Sequence, residues 1–209
     1  LIEAYRCADM PPVPVKTVHQ QQIQSLHRMR TQWVITRTRY INALRGTLRE
    51  YGFNIPLGPA MAKSRSALVL AEQDNDLPPA LRAPLTQMLE EVRTAEDRIA
   101  QIERDLRILA KEDSIIRELL KLPGVGLLTA TAMRASVADI QRFPSGRHFA
   151  SWLGLTARET SSGEKRRLGH ISKQGDVYLR TLMVHGARSA LTAARMARQQ
   201  GRPLDRLRT

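Results

Sequence analysis

The segment 154–167 sets hydroxyl side chains, Thr156, Thr160, Ser161 and Ser162, beside Gly163 and then a triple-basic run, Lys165, Arg166 and Arg167. A second short loop, Ser172-Lys173-Gln174-Gly175, closes the segment. Chemistry at a phosphodiester requires such parts together: an oxygen nucleophile, a backbone free enough to present it, and cations for the phosphate oxygens. A serine hydroxyl is a poor nucleophile at neutral pH until a base or a metal activates it. Ser161, Ser162 and Ser172 are therefore candidates, and an ordinary Ser-Ser-Gly loop is the simpler reading of the residues alone. Ser162 precedes Gly163, which lets it project from a turn beside the three cations. Lys165, Arg166, Arg167, Lys173 and Arg180 are the candidate phosphate contacts. Residues 157–209 hold twelve Lys or Arg against four acids, so this is the most basic third of the chain.

Upstream lies Leu122-Pro123-Gly124-Val125-Gly126-Leu127-Leu128-Thr129-Ala130. Two short helices joined by Gly-x-Gly form a helix-hairpin-helix pattern. Gly124 and Gly126 would let backbone N–H groups approach a phosphate, the following helix would add its positive end, and Thr129 would add a hydroxyl. Such binding would be independent of sequence. A tight turn with a purely structural role satisfies the same letters.

The chain has 209 residues and is 42% hydrophobic, enough for one or two small domains with cores of their own. Its formal net charge is +13 and its pI about 10.9, which points to a polyanionic partner, nucleic acid first. No run of apolar residues is long enough to span a membrane, and no signal-like segment opens the sequence. Cys7 stands alone, which rules out an intramolecular disulfide and a cysteine-rich zinc site and fits a reducing, cytoplasmic setting. The five histidines have no tight metal spacing, so no metal site is expected. Aromatic residues make up 4%, too few for the stacking platforms of single-strand binders. The first residue is Leu1 and the sequence starts in mid-pattern, which reads as a fragment.

The elements that must position these groups are mostly helical. Residues 1–16 end in a Pro-rich extended linker, and Thr17 is a fair N-cap. A helix follows to about Tyr51, with an apolar side through Leu26, Trp33, Tyr40 or Ile41, Leu44 and Leu48. Its other side carries His27, Arg28, Arg30, Arg37, Arg39, Arg45 and Arg49. A face of one sign fits phosphates better than it fits plain solvation. Leu81, Leu85, Met88, Val92, Ala95, Ile99, Ile102, Leu106 and Leu109 form a coiled-coil seam, flanked by near-balanced charges. That seam can pack on the basic helix within one chain, join two copies of the chain through 81–109, or do both. From Ser114 on, short helices alternate with Gly and Pro turns, with a short hairpin flanking Ser161–Lys165. The expectation is a mainly all-α chain. A long helical coiled-coil hairpin (17–112) should be followed by a compact helical domain (113–209) containing the helix-hairpin-helix and the serine loop.

Four motifs occur in order: Leu122-Pro-Gly-Val-Gly, Phe149-Ala-Ser-Trp-Leu-Gly-Leu-Thr156, Arg158-Glu-Thr-Ser-Ser-Gly163 and Ile171-Ser-Lys-Gln-Gly-Asp-Val-Tyr-Leu-Arg180. Together they resemble the C-terminal transposase domain of the DEDD-type insertion-sequence transposases, the bridge-RNA-guided serine recombinases whose N-terminal half is RuvC-like. The resemblance covers essentially the whole chain. It implies that Ser162 is the nucleophile that attacks a DNA phosphodiester and forms a serine–DNA link. It also implies Mg²⁺ held by RuvC-like acids, a structured guide RNA that chooses sequence, and protomers brought together by the coiled coil. This sequence departs from the pattern in supplying no spaced acid set for the metal, since Glu3 and Asp9 lack the spacing. The chain by itself is accordingly expected to hold no cofactor and to bind nucleic acid without recombining it. The competing expectation is a non-catalytic DNA- or RNA-binding and oligomerisation module. A Holliday-junction or repair protein built on helix-hairpin-helix accounts for 122–130 but not for 161–176.

Overall fold

A computed structural model describes residues 14–202 apart from 138 and 164. Most of the linker expected over 1–16, with Cys7, Glu3 and Asp9, lies outside the described residues. The mainly all-α expectation holds. Seven α-helices occur among the described residues: α1 (Val18–Glu50), α2 (Pro59–Ala71), α3 (Pro79–Glu112), α4 (Ser114–Leu119), α5 (Leu127–Ser136), α6 (Gly146–Trp152) and α7 (Val177–Gln199). Strands β1 (Ala157–Glu159) and β2 (Leu168–Ile171) lie between α6 and α7.

The start of α1 follows from local chemistry. Thr17 Oγ1 accepts from the Gln20 amide at 3.2 Å, and the Thr17 amide donates to Gln20 Oε1 at 3.0 Å. This reciprocal capping box satisfies two amides that the helix cannot. Gly52, at φ +82°, takes the chain out of the helix.

By their contacts the residues group into two units, one of them Ser25–Asp105 and the other formed by the segments on either side. In Ser25–Asp105, α1 and α3 run antiparallel. Arg30 pairs with Glu103 at 2.7 Å and Arg37 with Glu96 at 4.0 Å, so an advance of one heptad on one helix meets a retreat of one heptad on the other. Lys63 of α2 joins the pair at Glu96. Ile41, Leu44 and Leu48 share a core with Ala62 and Val69 of α2 and with Leu85, Leu89 and Val92 of α3. Leu89 is buried and Met88 only half-buried, a departure from the expected seam. The physical reason is α2, which joins the same core and widens the apolar stripe beyond the two positions per heptad of a two-helix seam. Leu85, Val92, Ala95, Ile99 and Ile102 are buried within the chain itself.

The expected one-sign basic face of α1 is corrected by this packing. His27 is buried, Arg30 and Arg37 turn to the acids of α3, and Arg45 donates to the carbonyls of Pro56 at 2.6 Å and Gly58 at 3.2 Å. Arg28, Arg39 and Arg49 remain exposed. Positions 27, 30 and 37 fall at three- and seven-residue steps from Ile41 and Leu44, on the buried stripe, where polar letters conceal the periodicity.

In the other unit, Ala132, Leu153 and Leu179 form a core with Phe149, Tyr178, Leu182 and Met183 packed around it. Asp113 caps α4, accepting from the amides of Ile115 at 2.9 Å and Ile116 at 3.2 Å. Its second oxygen takes Arg134 Nε at 2.7 Å, with His19 Nε2 at 3.4 Å. Buried Gln20 donates to the carbonyls of Arg134 at 3.1 Å and Val137 at 3.4 Å, tying the first turn of α1 to the end of α5. Asp176 caps α7 through the Leu179 amide and accepts Ser136 Oγ at 3.0 Å.

Burial works against the Asp113 charge. The Arg134 hydrogen bond, the Ile116 amide, the Arg134 charge and the Ile115 amide outweigh it and hold the carboxyl below its ordinary 3.8. A depressed carboxyl pKa stabilises the fold above the unfolded value, and that contribution is lost as pH falls through the folded value. Asp113→Ala should cost about 1–2 kcal/mol at neutral pH, the size of a lost helix cap. Denaturant melts of the two proteins should draw together in acid below 3.8, where the wild-type carboxyl protonates. A gap that does not narrow in acid would refute the charge-based account.

Candidate nucleic-acid interface

Two glycines set the root of the candidate site. Gly154 (φ +71°) and Gly175 (φ +88°) lie where the backbones of two loops touch. A Cβ on Gly154 would sit 2.1 Å from the Gln174 carbonyl, and one on Gly175 would sit 2.1 Å from the Trp152 carbonyl. No side chain fits at either position. Lys173 donates its amide to the Gly154 carbonyl at 3.1 Å. Arg180, from α7, donates one guanidinium nitrogen to the carbonyls of Leu153 and Gln174, each at 3.0 Å. These contacts hold Lys173, a non-glycine residue, at φ +56°, while its side chain stays exposed.

From that root the chain rises as an antiparallel arm. Ala157 faces Ile171 and Glu159 faces Leu168, with one irregularity between them. Pairing continues as Thr160 donates to the Arg167 carbonyl at 2.9 Å, and Ser162 and Lys165 exchange amide bonds at 3.3 and 3.2 Å. Gly163, at φ +59°, makes the turn at the tip. Every described residue of β1, β2 and the tip is exposed. A bare two-stranded ribbon is marginal in water, so polar braces must help it. Ser161 Oγ donates to Glu159 Oε1 at 2.7 Å and accepts the Arg167 amide at 3.0 Å. Arg166 Nε lies 3.4 Å from the same Glu159 oxygen, and Arg158 donates to the Ser172 carbonyl at 3.2 Å.

The structure therefore gathers Ser162, Lys165, Arg166 and Arg167 on one exposed arm and puts Lys173 at its root. Among the described residues Ser162 is bonded through its backbone alone, and its hydroxyl is open. The neighbouring Ser161 has the carboxylate partner, a role for Glu159 that sequence reasoning missed. The local signal was an acid two residues before a serine in a short strand.

Three expectations change. Arg180 is 9% exposed and braces two carbonyls, so it does not reach a phosphate as placed. Its position three residues beyond Val177 turns it into the clamp. Thr129 is 6% exposed on the inner face of α5. Gly124 faces α7: a Cβ there would meet the Gly186 carbonyl at 2.4 Å, and one on Gly186 would meet the Gly124 carbonyl at 2.1 Å. Its glycine serves a close backbone packing. Gly126, in the same turn, is exposed with open space around it at the N-cap of α5.

Beside the arm lies a groove of about 480 Å³, lined by α6 residues including Arg147, His148 and Ser151 and by Thr156, Glu159 and Arg166. Among the described residues no cluster of three or more His, Cys, Asp or Glu is placed to hold a metal ion. Nor is any helix among them long and apolar enough to cross a membrane.

Residues 116–202, from α4 through the arm to the end of α7, match the family described as Transposase IS116/IS110/IS902 family. Over 192 residues the chain is 41% identical to a Pseudomonas aeruginosa protein named Probable family 20 transposase, an alignment spanning 91% of this chain and 57% of that protein. It is 38% identical over 191 residues to the Coxiella burnetii transposase for insertion sequence element IS1111A, covering 91% of this chain and 52% of that one. With the Yersinia enterocolitica transposase for insertion sequence element IS1328 it shares 33% over 202 residues, 97% of this chain and 59% of the relative. The chain thus spans little more than half the length of these relatives.

The clamp makes a test by contrast. Gly175→Ala should cost about 3 kcal/mol in denaturant melts, because its Cβ meets backbone that cannot yield. Gly163→Ala, with nothing within 4 Å of its Cβ, should cost about 1 kcal/mol for the left-handed conformation alone. Equal costs at the two sites would remove the clamp.

Proposed function

We propose that this chain is the DNA-acting part of an insertion-sequence transposase, with the arm between α6 and α7 as its contact with the phosphodiester backbone. One observation carries the reading. Ser162 stands with an open hydroxyl at the tip of an exposed arm bearing Lys165, Arg166 and Arg167, inside the segment that matches the transposase family. The three cations suit phosphate oxygens, Lys173 adds a fourth at the root, and Gly126 offers an open backbone at a helix start. The exposed hairpin before α5 then acts as a helix-hairpin-helix contact of secondary extent.

In the reaction, the Ser162 oxygen bonds to phosphorus and the bond from phosphorus to one strand oxygen breaks. The serine proton leaves to a base, and the released strand end takes up a proton. Lys165, Arg166 and Arg167 stabilise the charge that grows on the phosphoryl oxygens. Among the described residues of the arm, the nearby Glu159 is engaged by Ser161 and Arg166, so it is not the group that activates the hydroxyl. The resemblance assigns that task to Mg²⁺ and acids of a RuvC-like domain, and sequence choice to a guide RNA. Association of copies through 81–109 would have to use what the chain leaves uncovered, Leu81, Met88 and Leu109 being half-buried while Leu85, Val92, Ala95, Ile99 and Ile102 are buried within it.

A second reading, a DNA- or RNA-binding module without catalysis, is favoured by one observation: Glu159, the described carboxylate on the arm, is held by Ser161 and Arg166 rather than by Ser162. Both readings require phosphate-led binding. Neutralising roughly six phosphates should weaken duplex binding about a thousandfold between 50 and 200 mM salt. The triple variant Lys165→Ala, Arg166→Ala, Arg167→Ala should flatten that slope, and Ser162→Ala should leave it unchanged. A flat response in the wild type would refute phosphate-led binding. On a denaturing gel with Mg²⁺ the chain alone should give no protein–DNA adduct. A strong adduct that persists in Ser162→Ala would refute the nucleophile.

A further inference from the structure

Apart from Arg166, which it shares with the cations of the arm, the groove at the arm's flank has no part in the reaction above. Its α6 wall carries Arg147, His148 and Ser151, and its opposite wall carries Thr156, Glu159 and Arg166. Several of these polar groups are bonded to one another or to neighbours. His148 Nδ1 is bonded to Ser145 Oγ at 2.8 Å, which sets the ring and leaves Nε2 free. Thr156 Oγ1 donates to Ser151 Oγ at 3.4 Å, so the Ser151 proton is left to point elsewhere. Glu159 opposes an anion, but Arg166 lies 3.4 Å from it and Ser161 donates to it. Arg147 has no acidic partner among the described residues, so two guanidinium groups against one carboxylate leave the groove positive.

Size decides what that charge is for. A volume of about 480 Å³ lies within the roughly 300–1,000 Å³ that sites for single drug-sized groups occupy. A lone phosphate would leave most of it empty, whereas a mononucleotide is a group of the right size. A stacked duplex cannot enter, because its bases are held in the helix interior. Leu168, exposed at 55%, gives the groove an apolar side against which a base can lie. Imidazole and guanidinium planes are common stacking partners for bases taken out of a helix.

We infer that this groove takes one unstacked nucleotide of a DNA strand, its phosphate between Arg147 and Arg166 and its base against His148 and Leu168. The inference rests on DNA being the partner of the arm. Reading a base out of the stack costs unpairing energy, which is least where the base already lacks a partner. The site would therefore favour a distorted or unpaired position beside the strand that Ser162 faces.

The test is fluorescence anisotropy with the whole chain and three labelled duplexes of one sequence: fully paired, with one unpaired thymidine, and with one unpaired abasic sugar-phosphate. The thymidine bulge should bind about tenfold more tightly than the paired duplex, and the abasic bulge should fall back toward it. Arg147→Ala should bring the bulge within about twofold of the paired duplex. Leu168→Trp, which fills the groove from an exposed position, should do the same without lowering the melting temperature. Equal binding of all three duplexes by the wild type would overturn the groove assignment and leave DNA binding standing. A thymidine preference that survives both variants would place the base elsewhere and overturn it too. Failure to bind any duplex would instead remove the reading of the arm on which the inference rests.

Discussion

The close approach of Gly154 and Gly175, locked by the Arg180 guanidinium, is the constraint on which the candidate site depends. An exposed two-stranded arm has little apolar surface with which to hold itself in place. Its orientation must come from its root, where two backbones touch at distances that admit no Cβ. Arg180 then joins the carbonyls of both loops, so α7, the core residue Leu153 and the arm move together. Buried charge is costly unless its hydrogen bonds are made, and here the cost goes into fixing a loop. Lys173 keeps a left-handed backbone on the same foundation.

The rest of this unit supports that root. Leu153 and Leu179 share a core with Ala132, so the loop bearing Gly154 and the first turn of α7 pack together. Asp176 caps α7 and receives Ser136 from the end of α5, and Gln20 and Asp113 hold α5 and α4 in turn. Glycine recurs in the same role where Gly124 meets Gly186. Phe143, Phe149 and Trp152 form a ring cluster with centroids 5.2 to 5.9 Å apart, which stiffens α6 beside the groove. The arm can be exposed and polar because everything beneath it is tied.

Much of this was legible in the letters. The helical periods of α1 and α3, the Thr17 cap and the hairpin around Ser161–Lys165 follow from spacing and turn residues that act locally. So does the grouping of Ser162 with Lys165, Arg166 and Arg167, which lie within a few residues on one short arm. What stayed hidden was non-local. Arg180 and Thr129 look like surface groups until packing puts them inside, and Gly124 looks like a phosphate turn until Gly186 is found against it. On α1, Arg30 and Arg37 read as part of a binding face because a search for apolar periodicity passes over ion pairs on a buried stripe. The groove arises from how the two strands and α6 come together, which the sequence does not state. The Glu159–Ser161 bond, by contrast, is local, two residues apart on one side of the arm.

The central claim is that nucleic acid is met chiefly by the arm and its root, the hairpin before α5 adding only its open backbone at Gly126. Acetylation footprinting of lysines on the intact chain, with and without duplex DNA, tests it most directly. Lys165 and Lys173 should become protected, while Lys111, and Lys121 with its ion pair to Glu118, should react as before. Protection of Lys121 with Lys165 and Lys173 left fully reactive would contradict the account and move the interface to the hairpin between α4 and α5.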